Sequence, residues 1–260
     1  TYYQNSVAWL HTFRKQTIET VRMTQFYKGY DFLGGHDHNQ VGGGYEAGFL
    51  NEFFELKAGD QAKDFLRYNA PSVLLLDLGP ERIYQMNTDM VLPLSISHWG
   101  KKDIKHGRVR VALVGQWGEK YISNEFAVAD IPAGTTTLLN TLSFQIPKLS
   151  VPERLSLRVS LRHGSEILEN DWDLWAFPVL EGQNARTSNS KMMTVKHLDE
   201  KALDMLSSGG TVVLLGTDVF PSHALDYSIG LAGRTHGNLA TVIQGHPILV
   251  NFPHRGWCSW

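Results

Sequence analysis

Cysteine is almost missing from this chain. Cys258 stands alone, which excludes an internal disulfide framework and any thiolate metal cluster. No stretch approaches the ~18 consecutive apolar residues that a membrane helix needs, so no membrane partner is expected. Neither sign of charge dominates: 24 basic side chains stand against 26 acidic ones, a net charge of -2. The cationic surface that grips nucleic acid is therefore not expected either. No Gly-x-Gly-x-x-Gly and no P-loop lysine accompany the apolar run at residues 211–216, so no nucleotide is expected there. No other cofactor is marked, and internal repeats and low-complexity tracts are lacking too. The chain opens on Thr1 rather than methionine, and residues 1–7 lack the basic-then-apolar layout of a signal peptide. It closes on the aromatic run Gly256-Trp257-Cys258-Ser259-Trp260. These ends lead us to expect a piece of a longer protein, with the rest of that polypeptide as one partner.

What is present is globular. Of 260 residues, 42% are apolar and 19% charged, a balance that argues against disorder. The length suits about two domains, or three small ones. Residues 5–24 read as an amphipathic helix, with Val7, Leu10, Phe13, Ile18 and Val21 in one arc and Arg14, Lys15 and Glu19 pointing elsewhere. Residues 30–33 are a short strand candidate, followed by Gly34-Gly35 and a polar loop. From about Pro71 to Pro178 the period becomes two. Leu155, Leu157, Val159 and Leu161 alternate with Ser156, Arg158, Ser160 and Arg162, and the runs at 92–97, 108–113 and 142–146 behave alike. Turn signals separate them, which predicts an antiparallel sandwich with one face of each sheet in the core. A polar linker, residues 181–191, precedes a helix capped by Asp199. Leu198 is placed to staple onto Leu203, and a buried strand follows at residues 211–216.

The loop His36, Asp37, His38, Asn39 and Gln40 is the first candidate site. Five consecutive side chains can donate or accept hydrogen bonds, and flanking glycines let backbone approach a ligand. A sugar pocket needs that inventory, because every hydroxyl withdrawn from water must find a new partner. The same pattern also suits a solvated, glycine-punctuated loop that caps a strand. His36 and His38 form a His-x-His pair that would start a metal site, but no third ligand is marked by spacing. Asn51-Glu52 and Asn124-Glu125 have the look of a glycosidase acid, although Glu125 reads as a surface residue of a strand. Trp172 and Trp175 suit either sugar stacking or a buried closing strand, and the second reading is preferred.

Residues 29–55, with His36-Asp37-His38-Asn39-Gln40-Val41-Gly42-Gly43-Gly44 and Gly48-Phe49-Leu50-Asn51-Glu52-Phe53-Phe54, resemble the end of the catalytic barrel in glycoside hydrolase family 2 proteins. Asn170-Asp171-Trp172-Asp173-Leu174-Trp175-Ala176-Phe177-Pro178 is similar to the closing strand of that family's sandwich. His246-Pro247 and Phe252-Pro253 before Gly256-Trp257-Cys258-Ser259-Trp260 look like part of a C-terminal α/β domain. The resemblance implies three parts. Residues 1–69 would be the last helix-strand units of a (β/α)8 barrel, 70–180 an immunoglobulin-like β-sandwich, and 190–260 a partial α/β domain. It further implies a retaining, exo-acting glycosidase of the β-galactosidase or β-glucuronidase kind, periplasmic or secreted. The two catalytic glutamates would lie upstream of Thr1, leaving this piece inactive by itself. Its contribution would be a pocket wall of His36, Asp37, His38, Asn39 and Gln40 against a carbohydrate substrate. A non-catalytic carbohydrate-binding or scaffold module is the alternative, and a metal-dependent hydrolase using His36 and His38 is a third.

Overall fold

A computed structural model describes residues 1–24, 26–27, 29–31, 35–37, 48–57, 61–79, 81–179, 191–215, 242–243, 245 and 247–257. They belong to two compact units, one formed by residues 1–178 with 229–260 and the other by residues 179–228.

The larger unit begins with helix α1 (Tyr2–Met23). Val7 and Ile18 are buried as the apolar arc requires, but Asn5, Arg14 and Glu19 are buried as well. The helix is enclosed on more than its apolar side, and two of the three charged residues assigned to its outer face lie inside. Beyond it, Tyr30 and Asp31 carry no regular structure, while Phe32 and Leu33 lie outside the described residues. His36 forms an isolated parallel bridge to Leu50, which bridges antiparallel to Leu56. Helix α2 (Ala62–Asn69) follows. Among the described residues no (β/α)8 barrel is evident; this region contributes two helices and two isolated bridges.

The sandwich is plain. Strands β1 (Ser72–Leu76), β3 (Asp89–His98) and β6 (Thr135–Gln145) form one antiparallel sheet in the order β1-β3-β6. The other runs β2-β8-β7-β4-β5, with β2 (Ile83–Gln85), β4 (Arg108–Gly115), β5 (Lys120–Ala127), β7 (Glu153–His163) and β8 (Glu166–Phe177). Within these two sheets, among the described residues, β2 alone pairs in parallel, against β8. Register follows the predicted alternation, with Val109 opposite Leu161, Val111 opposite Val159 and Leu113 opposite Leu157. These side chains meet Leu92, Leu94 and Ile96 of the facing sheet in one core. A shift of one residue would turn that whole set toward water, so burial itself holds the register. The β7–β8 hairpin turns at Gly164-Ser165. Gly164 has φ +56°, and His163 pairs with Glu166 across it.

Glu153, the first residue of β7, is a buried carboxylate. It accepts the Tyr121 hydroxyl at 2.7 Å and the Gln116 N–H at 3.0 Å. Burial, reinforced by the hydrogen bond to Glu153, pushes the Tyr121 phenol up to about 12 from its ordinary 10.0. The folded chain therefore holds this proton more tightly than the unfolded chain does. The associated stability is intact below pH 10.0 and is lost as pH rises toward about 12. Ultraviolet titration should show a phenolate step near pH 12 that Tyr121→Phe abolishes. An unchanged titration in the variant would refute the assignment.

The smaller unit contains β9 (Met192–Val195), helix α3 (Glu200–Ser207) and β10 (Thr211–Leu214), with the two strands parallel. Asp199 caps α3 as its sequence position predicts: its side chain accepts the Ala202 N–H at 2.9 Å. Gly209, at φ +77°, turns the chain out of the helix. The strand β9 had no signal beyond the linker.

Candidate functional site

Two places in the larger unit gather chemistry. The first is the base of the polar loop. Asp37 and Gly48 bracket a ten-residue segment, 38–47, and bonds from several directions hold the two ends together. Asp37 N–H donates to Leu50 O at 2.8 Å, and Phe49 N–H donates to Gly35 O at 3.0 Å. The Asp37 carboxylate accepts the Gly48 N–H at 2.8 Å through Oδ1 and pairs with Lys57 Nζ at 2.8 Å through Oδ2. From α1, Arg14 Nη2 donates to Gly48 O at 2.5 Å, with its guanidinium 4.3 Å from the Phe49 ring centroid. The chains touch so closely that a Cβ on Gly48 would overlap the backbone of His36.

Of the sequence-predicted site residues, the structure places His36 and Asp37 at this neck. His36 stacks on Phe54, centroids 4.4 Å apart and planes at 29°. Asp37 has each carboxylate oxygen engaged within the chain, although each keeps a spare lone pair. His38, Asn39 and Gln40 lie outside the described residues. Glu52 is exposed on a turn organised by the Asn51 side chain, which accepts the N–H groups of Phe53 and Glu55 at 2.9 Å. Glu125 is a surface residue paired with Arg108 at 2.9 Å, as expected of a strand's outer face. Among the described residues, no three His, Cys, Asp or Glu side chains converge in a way that would hold a metal.

The second place is a cleft of about 280 Å3 where α1, α2, β8 and residues 255–257 meet. Trp172 and Trp175 line it but are buried, consistent with the closing-strand reading. Trp9 meets Trp257 edge to face at 5.9 Å. At its floor, Glu19 accepts Lys15 Nζ at 2.5 Å, Asn170 Nδ2 at 2.7 Å and Trp172 Nε1 at 2.9 Å. Lys15 also lies 4.7 Å over the Trp172 ring. Burial lowers the Lys15 pKa, against the pull of Glu19.

Around the rim, Arg67 pairs with Asp171, and Arg255 pairs with Asp173. Burial, with Arg154 nearby, lowers Arg255 to about 10. Arg82 donates to two carbonyls, Gly79 O at 2.6 Å and Glu81 O at 2.9 Å. Three of the four carboxylates lining the cleft, Glu19, Asp171 and Asp173, are thus neutralised by cations of the same chain. A general acid or nucleophile needs an available carboxyl group, so this arrangement suits an internal anchor better than an acid-base pair. Sequence reasoning missed this cluster. The sole local signal was Lys15 and Glu19 at i,i+4 on a helix, a spacing common on solvated faces.

A family model described as a domain of unknown function, DUF8488, matches residues 89–178, about a third of the chain. Among curated proteins, no sequence matches. In solved structures, the β-glucuronidase of Parabacteroides merdae is similar at 14% identity and a TM-score of 0.26. The match covers 34% of this chain and 12% of that one. A putative β-galactosidase from Bacteroides fragilis is 14% identical with a TM-score of 0.28, over 40% of this chain and 16% of its own. The alkylpurine DNA glycosylase AlkC of Pseudomonas fluorescens, solved bound to DNA, reaches the same TM-score of 0.28 at 13% identity, over 42% and 31%. Likeness at this level spans unrelated activities and carries no functional argument. The matched part of the chain spans only a small fraction of the glycosidases it resembles. What stands is a β-sandwich, with distant glycoside hydrolases among its structural neighbours.

Proposed function

We propose that this chain is the C-terminal part of a retaining, exo-acting glycoside hydrolase of the β-galactosidase or β-glucuronidase kind. The loop of His36, Asp37, His38, Asn39 and Gln40 forms one wall of its sugar pocket, and the catalytic glutamate pair is encoded upstream. The observation that supports this reading is the clamped neck. Ten residues of hydrogen-bonding and glycine-rich sequence depart from a base held by a buried arginine, a buried lysine paired with Asp37 and a glycine against bare backbone. Holding the two ends of a polar segment together in this way lowers the ordering cost of binding a polyhydroxylated ligand.

The test is hydrolysis of aryl β-glycosides by the full-length parent protein. Asn39→Ala should lower kcat/KM about tenfold or more, the effect of one lost hydrogen bond to a substrate hydroxyl. The 260-residue chain alone should be inert. Turnover by the isolated chain, or full activity in the Asn39→Ala parent, would overturn the reading. The neutralised carboxylates of the second cleft favour one alternative, a scaffold module without chemistry of its own. That alternative predicts an inactive parent with an unaltered fold.

A further inference from the structure

A third feature lies apart from both places, where the last turn of α1 meets the ends of β3 and β6. A cleft of about 290 Å3 opens there, near the lower end of the ~300–1,000 Å3 range of small-ligand pockets. Its aromatic members are exposed, unlike the tryptophans of the first cleft: Trp99 is 47% exposed and Tyr27 57%. Trp99 is nonetheless held in place, because its Nε1–H donates to Ser97 Oγ at 3.1 Å. Trp, Tyr and Arg are the residue types enriched where binding energy concentrates on protein surfaces.

The polar groups around them are complementary in sense. Arg22 makes two long bonds, to Tyr30 Oη and Pro71 O, each at 3.4 Å. No carboxylate pairs with it among the described residues, and its buried Nε has no partner there. Thr24 and Thr136 donate their hydroxyl hydrogens inward, to Val21 O at 3.0 Å and Arg22 O at 3.1 Å. Both therefore retain lone pairs for a ligand's O–H groups, while Arg22 offers N–H donors and a positive charge that no carboxylate matches among the described residues.

We infer that this cleft binds a pyranose carrying an anionic substituent, a carboxylate or a sulfate. The apolar face of the sugar lies on Trp99, its hydroxyls donate to Thr24 and Thr136, and its anion faces Arg22. A neutral sugar leaves the guanidinium without a counter-ion, and a bare anion leaves the aromatic face unused. The site is separate from the loop neck and stands whether or not the chain belongs to a glycosidase.

The experiment is titration of the 260-residue chain with galacturonic acid, galactose 6-sulfate, galactose and inorganic sulfate, followed by the Trp99 indole N–H resonance. The acidic sugars should shift it at millimolar concentration, and galactose should bind about tenfold more weakly, the scale of one charge-assisted hydrogen bond. A response to only one acidic sugar supports the site and identifies the anion. Arg22→Gln should abolish the preference for acidic sugars, and Trp99→Ala should abolish binding of all of them, with unchanged circular dichroism. His36→Ala should leave this binding intact, which separates the site from the proposed pocket wall. Equal binding of galactose and the acidic sugars overturns the inference. So does an equal response to inorganic sulfate, a preference that survives Arg22→Gln, or silence of the Trp99 resonance.

Discussion

Replacing Glu19 with alanine is expected to destabilise the larger unit by about 3–5 kcal/mol, the usual cost of removing one partner from a buried ion pair. Glu19 is 4% exposed and receives three hydrogen bonds, from Lys15, Asn170 and Trp172. Truncating it orphans an ammonium that is already desolvated, an amide and an indole N–H. Asn170 keeps one further acceptor, Leu74 O at 2.7 Å, so its share of the loss is the smallest. Glu19→Gln should cost less, because one carbonyl oxygen still receives the indole or amide N–H while the new NH2 faces Lys15. Urea unfolding followed by tryptophan emission measures both variants, since Trp172 lies in the network itself. A midpoint for Glu19→Ala within about 0.5 kcal/mol of the parent value, as for an ordinary surface substitution, would show that α1 is not anchored through this residue.

The second large effect is expected at Gly48, where alanine should cost about 1–3 kcal/mol through overpacking. The reason is steric rather than conformational. An added Cβ would lie 2.5 Å from the backbone nitrogen of Asp37 and 2.7 Å from the Cα of His36. Both are main-chain atoms, so no side chain can rotate away and the two strands of the neck must part. Parting them breaks the Gly48 N–H bond to Asp37 and the Arg14 bond to Gly48 O. The damage should stay local. Hydrogen exchange at the Asp37 and Leu50 amides should accelerate, while Leu157 in the sandwich core keeps its protection. Equal acceleration at Leu157, or none at Asp37, would contradict this account. If the loop is a pocket wall, the same variant in the full-length protein should lose substrate affinity through loss of preorganisation.

Legibility followed the range of the forces. The strands β3, β4 and β7 were readable because half-buried strands alternate residue by residue, and Leu94, Leu113 and Leu157 fall where that alternation puts them. The Asp199 cap was readable because its partner is three residues away. By contrast, the barrel strand expected at residues 30–33 rested on a short apolar stretch with no period to test. The described Tyr30 and Asp31 carry no regular structure. The loop's hydrogen-bonding inventory is legible in the sequence, but the groups that hold His36 and Asp37 at the neck, Phe54, Gly48 and Lys57, adjoin them only in space. An amphipathic pattern puts Arg14 and Glu19 on the outer face, because charged side chains count as solvated. Apart from Lys15, one helical turn from Glu19, their partners are 34, 151 and 153 residues distant.

Composition and periodicity alone therefore determined that this is a cysteine-poor globular chain built around a β-sandwich, with a capped helix and strand beyond it. Tertiary structure decided where its charges live: Glu19 and Lys15 beneath Trp172, Arg14 on Gly48, and Asp37 on Lys57. A local pattern records whether a side chain is apolar. A buried charge is set by a partner that only the completed fold brings within hydrogen-bonding distance, because desolvation is tolerable only once that partner has arrived.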